Sequence, residues 1–320
     1  MPRGKTIIHA RVEHLVSPIT AESFAQMLYG LKILVTYALG VDLAGRNVAV
    51  YPDDTFIVSY PRSGNTWTRF LIANLVFPDK TVDFTNIEKL IPDTTSQSSL
   101  TLKKTPRPRI IKAHEYFDHR YPKTIYIVRD PRDVALSYYE FHRKYGHIDN
   151  TVSLEAFVDD FVCGRLISAS WGTWGENVAS WIYARGRVPS FLLLQYEEMR
   201  KNPTAELARI ATFMGIEPDP VRLQKAVELS SVERMRKLEE VQQDEYLKTL
   251  GFVARRAQTK NNRKDIPFVG GARAGGWRDS LPESCVHKIE SAWGELMTTV
   301  GYELVTLNEP QKVLQGEAQC

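Results

Sequence analysis

A single α/β domain with a central parallel sheet, a P-loop-like nucleotide-binding core flanked by helices, is the fold this sequence predicts. Two observations carry that expectation. Four short runs rich in β-branched or apolar residues, Thr55–Ser59, Arg109–Ala113, Thr124–Val128 and Phe191–Gln195, each have the length of a buried strand. Helical patterns lie between or after them, and strand and helix in alternation build a parallel sheet covered on both faces.

Taken in order, the elements justify themselves. The stretch Phe24–Val41 is apolar but interrupted by Gln26, Gly30 and Lys32, short of the ~20 uninterrupted residues of a spanning helix, so it reads as an amphipathic helix. Residues 1–50 are accordingly expected to form a helical extension. Thr66–Val76, Pro131–Tyr145, Leu154–Phe161, Asn177–Arg185, Ala205–Met214 and Val221–Glu239 carry helical patterns. The run Asp93–Pro108, rich in Thr, Ser, Lys and Pro, is expected to be a surface loop. No internal repeat or composition break marks a second domain, so one domain is expected over 1–320, with its core at about 53–303 and a tail at 304–320.

Composition excludes several classes of function. With 43% hydrophobic and 25% charged residues, the 320-residue chain is too polar for a membrane bundle. Lys and Arg number 41 against 38 acidic residues, and a formal charge of +3 argues against nucleic acid as a partner. Cys163, Cys285 and Cys320 have no Cys-x-x-Cys spacing, which speaks against a disulfide framework and a structural zinc cluster and for a reducing compartment. Arg3, Lys5, Arg11 and Glu13 precede any apolar run, unlike a secretory signal, so a cytoplasmic location is expected.

In open parallel sheets ligands sit beyond the carboxyl ends of the strands. The first exit, Tyr60-Pro-Arg-Ser-Gly-Asn-Thr-Trp67, joins a strand to a helix, the setting in which backbone N–H groups and the helix dipole hold an anion. Gly64 allows close approach, Ser63 and Thr66 add hydroxyls, and Arg62 adds a charge that can fork onto phosphate. The nucleoside-triphosphate loop Gly-x-x-x-x-Gly-Lys-Ser/Thr is not matched, because the first Gly is absent and Asn65 replaces the Lys. That disfavours a nucleotide kinase; an ordinary capped turn is the other reading of this loop alone. The third exit places Arg129 before Asp130-Pro131, an N-cap followed by Pro at the first helical position, with Asp133 completing a capping box. Ser137 lies on that helix and is expected to share a phosphate with Arg129, although a surface arginine and a helical serine would read the same. Two anion sites suit a nucleotide carrying phosphate at both ends. At the second exit Lys112 and His114 alternate along a strand and share a face, a cation beside a base of ordinary pKa about 6.5.

These segments together resemble the sulfotransferases that use 3′-phosphoadenosine 5′-phosphosulfate (PAPS). Tyr60–Trp67 is similar to their 5′-phosphosulfate loop, and Arg129 with Ser137 to their 3′-phosphate segment. Lys112-Ala113-His114 resembles their Lys-Thr-His, and Gly172-Thr-Trp174 through Trp181 their Trp-containing helix. Tyr196-Glu-Glu-Met resembles Tyr-Glu-Asp-Met, and the likeness ends with Gly275-Gly-Trp277 and Gly301-Tyr302. Arg62 and Asn65 replace a usual Lys and Thr, a pattern of bacterial branches. Gly270-Gly271-Ala272 stands where Arg-Lys-Gly is common, leaving Arg273, with Ala274 and Gly275, as the phosphate loop there. Val232, beside Ser231, falls where a phenylalanine often lies near adenine. The family's Lys-x-x-x-Thr-Val-x-x-x-Glu dimer motif has no counterpart, which leaves the oligomeric state open.

The resemblance implies transfer of a sulfuryl group from PAPS, without a metal, to a hydroxyl of a small molecule or glycan; phenol, alcohol and sugar stay open. His114 is the expected base, and Arg62 and Lys112 are expected to neutralise the departing phosphate. The nucleotide would be held by Arg62, Ser63, Gly64, Asn65, Thr66, Trp67, Arg129, Ser137, Tyr196, Ser231, Val232, Arg273, Ala274 and Gly275, with Trp67 stacking on adenine. A nucleotide kinase and a non-catalytic PAP- or nucleotide-binding protein are the alternatives.

Overall fold

The computed structural model describes residues 43–166, 170–259, 262–270 and 273–306, with Leu31 and Val35 as isolated positions. The chain divides into two compact units, Met1–Leu39 and Gly40–Cys320. Of the first, Leu31 and Val35 are helical and exposed. Most of the extension expected over 1–50 therefore lies outside the described residues, as does the tail beyond 306.

The second unit is built on four parallel strands, β1 (Thr55–Ser59), β2 (Ile110–Ala113), β3 (Lys123–Val128) and β4 (Phe191–Gln195), in the order β2-β1-β3-β4. Thr55 pairs with Ile110 on one side and Lys123 on the other, and Thr124 pairs with Phe191. Because side chains alternate, each strand feeds both faces. Phe56, Val58, Ile111, Ala113, Tyr126 and Val128 join the core on one face, and Ile57, Ile110, Ile125 and Ile127 that on the other. The first core is closed by Trp174, Trp181, Phe161 and Ile289, the second by Phe70, Leu71, Leu207 and Ile210. The chain leaves β1 toward β2 on one side and returns to β3 on the other, so the crevice opens between the ends of β1 and β3.

The helices in chain order are α1 (Asn65–Val76), α2 (Ile87–Leu90), α3 (Ser99–Lys104), α4 (Pro131–Lys144), α5 (Leu154–Val162), α6 (Trp174–Arg185), α7 (Tyr196–Lys201), α8 (Pro203–Met214), α9 (Pro220–Leu229), α10 (Val232–Thr249), α11 (Phe252–Thr259), α12 (Trp277–Ser280) and α13 (Glu283–Thr299). The pattern expected over Val221–Glu239 is two helices, since Ser231 ends the continuity by accepting from the Arg234 N–H as the N-cap of α10. The helix α13 was not anticipated.

Asp93–Pro108 is the surface loop expected only in its second half, where Lys103, Lys104, Pro106, Arg107 and Pro108 are exposed. Asp93, Thr94, Ser96, Gln97, Ser98 and Ser99 are buried, and α3 lies within the segment. Its polar side chains are satisfied by one another and by buried charges. Ser96 donates to Glu88 at 2.9 Å, Glu88 pairs with Arg69 at 2.8 Å, and Asp93 pairs with Lys112. In the first half, polar composition read as solvent exposure is a buried network. Cys285 is buried and free, whereas Cys163 is disulfide-bonded, a pairing that the spacing of the cysteines does not signal and that runs against the reducing compartment expected. Among the described residues no helix is long and apolar enough to cross a membrane.

Candidate active site

A cavity of about 910 Å³ opens at the ends of β1, β2 and β3. Its floor is the turn from β1 into α1. Gly64 holds φ 91° there, and a Cβ on it would fall 2.4 Å from the Tyr196 ring, so the position requires glycine twice over. No side chain caps α1, which leaves its first N–H groups for a ligand. Ser63 is fully buried with an unpartnered hydroxyl. Asn65 spends its amide N–H on the Ile57 carbonyl and Ser59 hydroxyl, at 3.3 and 3.1 Å, and leaves its carbonyl oxygen unpartnered. Thr66 and Trp67 line the cavity, and the Trp67 indole donates to the Ser230 carbonyl at 2.9 Å.

Arg62 has φ 66°, the left-handed region rarely used by residues with a Cβ. The turn throws its guanidinium between the rings of Phe141 and Phe268, 5.1 and 5.2 Å from their centroids. Burial lowers its pKa to about 10, still charged at neutral pH. Its Nε donates to Ser137 Oγ at 3.1 Å, so Ser137 partners Arg62 and not Arg129 as expected. Arg129 instead bridges two loops, donating to the Arg62 carbonyl at 2.9 Å and the Arg273 carbonyl at 3.2 Å, over the Tyr196 ring at 4.5 Å. Its Nε is buried and unpartnered.

The Asp133 carboxylate does not close a capping box. It accepts from the N–H groups of Gly275 and Trp277, at 2.7 and 2.9 Å, tying that loop to α4. The expected contribution of Gly275 is thereby corrected, because its N–H is taken. Ala274 is exposed and does not line the cavity, and Ser231 is a helix cap away from its wall. Val232, Tyr196 and Arg273 do line it, Arg273 paired with Asp279. Arg263 and Lys264 pair with Asp265 and Asp244.

At the end of β2, His114 is 8% exposed. Its Nδ1 lies 2.7 Å from the Ser59 carbonyl oxygen, which can only accept, so the hydrogen sits on Nδ1 and Nε2 keeps a bare lone pair. Burial first, then the Lys112 charge, pulls its pKa to about 3, well below the 6.5 expected from sequence. Lys112 is not a free cation, since Asp93 pairs with it. Asp93 is held far below the usual carboxylate range by Lys112, with Arg69 assisting, against the opposing effect of its own burial. Sequence reasoning missed Asp93, because nothing in a Thr- and Ser-rich stretch marks it as buried. Trp171 stands edge-on to His114 at 5.7 Å, while Trp174 and Trp181 are core, their indoles donating to the carbonyls of Arg129 and Glu115.

Two charged loops and an uncapped helix start suit a phosphorylated ligand, and a buried imidazole with a free lone pair borders the same cavity. A family model, the sulfotransferase domain, matches residues 52–301. The chain belongs to the sulfotransferase family. It is an enzyme that moves a sulfuryl group from PAPS to an acceptor, and the kinase and the inactive binder are set aside. Among its relatives, sulfotransferase 1B1 of Mus musculus is 30% identical over 228 residues, 66% of this chain and 74% of that protein. Sulfotransferase 1C2 of Oryctolagus cuniculus is 25% identical over 269 residues, 79% and 86% of the two chains. The fold is shared with retinol dehydratase solved with retinol and PAP, at TM-score 0.63, 21% identity and coverage of 84% and 87%. It is shared too with mouse sulfotransferase SULT7A1 complexed with PAP, at 0.61, 22%, 82% and 90%. Among the described residues no cluster of His, Cys, Asp or Glu is arranged to hold a metal ion.

Proposed function

We propose that this sulfotransferase acts on a hydroxyl of a small, largely apolar molecule seated in the 910 Å³ cavity, with His114 Nε2 taking the hydroxyl proton. The observation that carries this reading is the bond from His114 Nδ1 to the Ser59 carbonyl, which leaves Nε2 as an acceptor. Phe141, Phe268, Trp171 and Leu166 supply apolar wall. The similar fold of retinol dehydratase has been solved with retinol and with androsterone, both small molecules. The acceptor oxygen attacks sulfur, the bond from sulfur to the bridging phosphate oxygen breaks, its electron pair leaves with PAP, and the proton passes to Nε2. Arg62 and Lys112, the latter shared with Asp93, line the cavity and are the cations proposed to neutralise the departing phosphate. Thr66 and the start of α1 suit the 5′-phosphate, whereas Ser63 is fully buried and does not line the cavity; Arg129 with Arg273 suits the 3′-phosphate.

The imidazolium formed at His114 would face Lys112, and Asp93 offsets that repulsion. Labelled sulfate transfer from PAPS to a library of hydroxyl compounds, in EDTA, tests the reading. Transfer onto amines alone, or none onto any hydroxyl, overturns it.

A further inference from the structure

The wall of the cavity opposite the strands holds a second histidine that the reaction above does not use. His142 sits in the last turn of α4, 7% exposed, one turn after the buried Tyr138. Its ring lines the cavity and packs edge-on against Tyr138, Phe157 and His147, with centroids 4.5, 5.4 and 5.3 Å away. Nδ1 is enclosed in this wall without a partner. Among the described residues none hydrogen-bonds to either ring nitrogen. Burial, reinforced by His147 and Arg62, lowers the pKa to about 4, so the ring is neutral at pH 7.

A neutral imidazole has one N–H and one bare nitrogen. Enclosing a bare nitrogen among aromatic edges costs less than enclosing an N–H, since orphaned buried donors are the rarer case. The hydrogen therefore belongs on Nε2, the nitrogen not enclosed by the wall. His114 and His142 then offer opposite chemistry to one cavity: a lone pair just beyond β2 and a donor on α4.

We propose that His142 is a specificity-determining residue, whose Nε2–H donates to a second oxygen on the acceptor, so that the preferred acceptor carries two oxygens, one to be sulfonated and one to be recognised. This rests on the hydroxyl-acceptor reading above. Its test is made by binding, so that it stands apart from turnover. Affinities of 2-naphthol and of a set of dihydroxynaphthalenes with the second hydroxyl at different positions are measured by calorimetry on the PAP-saturated protein, for wild type, His142→Phe and His142→Gln.

At least one diol is expected to bind roughly tenfold more tightly than 2-naphthol to wild type, the size of one net hydrogen bond. That preference should disappear in His142→Phe, with 2-naphthol affinity within about twofold of wild type, and survive in part in His142→Gln, which keeps a donor. His142→Met reads the same difference should phenylalanine not fit the wall. No diol bound more tightly than 2-naphthol, a preference unchanged in His142→Phe and His142→Met, or equal loss for diol and 2-naphthol overturns the inference. A protein that shows the His142-dependent preference yet transfers no sulfuryl group keeps this inference and loses the reaction.

Discussion

The Ser59 carbonyl oxygen, at the last position of β1, lies 2.7 Å from Nδ1 of His114, the first residue beyond β2. Adjacent parallel strands thus fix the tautomer of the proposed base, because the pairing of Val58 with Ala113 sets Ser59 beside His114. His114→Ala is expected to lower kcat roughly 10²- to 10⁴-fold, the range of acid–base catalysis, with PAPS affinity nearly unchanged. The deficit should grow along a series of acceptors of rising pKa, since a phenol already partly ionised needs little help. A deficit independent of acceptor pKa would make His114 a positioning residue.

Burial of two neutral histidines makes stability depend on pH. Unfolded, each binds its proton near 6.5; folded, His114 does so at about 3 and His142 at about 4. Below pH 6.5 the unfolded chain binds more protons, so their contribution to stability is present above that value and is lost as pH falls through the folded pKa values. The slope is at most about 1.4 kcal/mol per pH unit for each histidine. Urea unfolding between pH 7.5 and 4.5 should show it, and His142→Phe should flatten the curve. An unchanged slope in that variant would count against a neutral buried His142.

Arg62 and Arg129 touch each other yet are expected to fail differently. Arg62→Ala removes the charge proposed to meet the departing phosphate, so kcat should fall more than acceptor KM rises. Arg129→Ala should weaken PAPS while discriminating less against a donor lacking the 3′-phosphate. Steady-state kinetics with PAPS and with adenosine 5′-phosphosulfate separates the two. Equal loss for both donors in Arg129→Ala would place the 3′-phosphate elsewhere.

What the sequence disclosed was set by local rules. The strands β1 and β4 fall on the residues read from their apolar runs; β1 is buried on both faces, which leaves a continuous signal, and β4 keeps an apolar run although it lies half-buried at the sheet edge. Gly64 and Arg129 were legible as strand-exit residues. The partners were not. Asp93 reaches Lys112 from 19 residues away, Asp133 reaches Gly275 from 142, and no local pattern encodes such distances. Ser231 misled for a related reason: a serine before a helix serves as cap or ligand, and the Arg234 N–H claimed it.

Asp133 gives the last expectation. Its two oxygens hold the N–H groups of Gly275 and Trp277, and the same loop presents the Arg273 carbonyl to Arg129. These two bonds and the Arg129 contact are what tie the loop beside the proposed 3′-phosphate subsite. Burial raises the Asp133 pKa, with the Arg129 charge and the two N–H groups opposing that rise. Asp133→Asn keeps the shape but turns one oxygen into a donor facing an N–H, leaving one buried donor unpaired at a cost of ~1–3 kcal/mol. Because Asp133 has no part in the proton transfer or the leaving-group charge, the loss should fall on the nucleotide, with KM for PAPS raised about tenfold or more and kcat at saturating PAPS within a few-fold of wild type. Calorimetric titration with PAP should show the same weakening. A variant that binds PAP normally but has lost kcat would mean that Asp133 acts on the chemistry, and the loop tie would then be incidental.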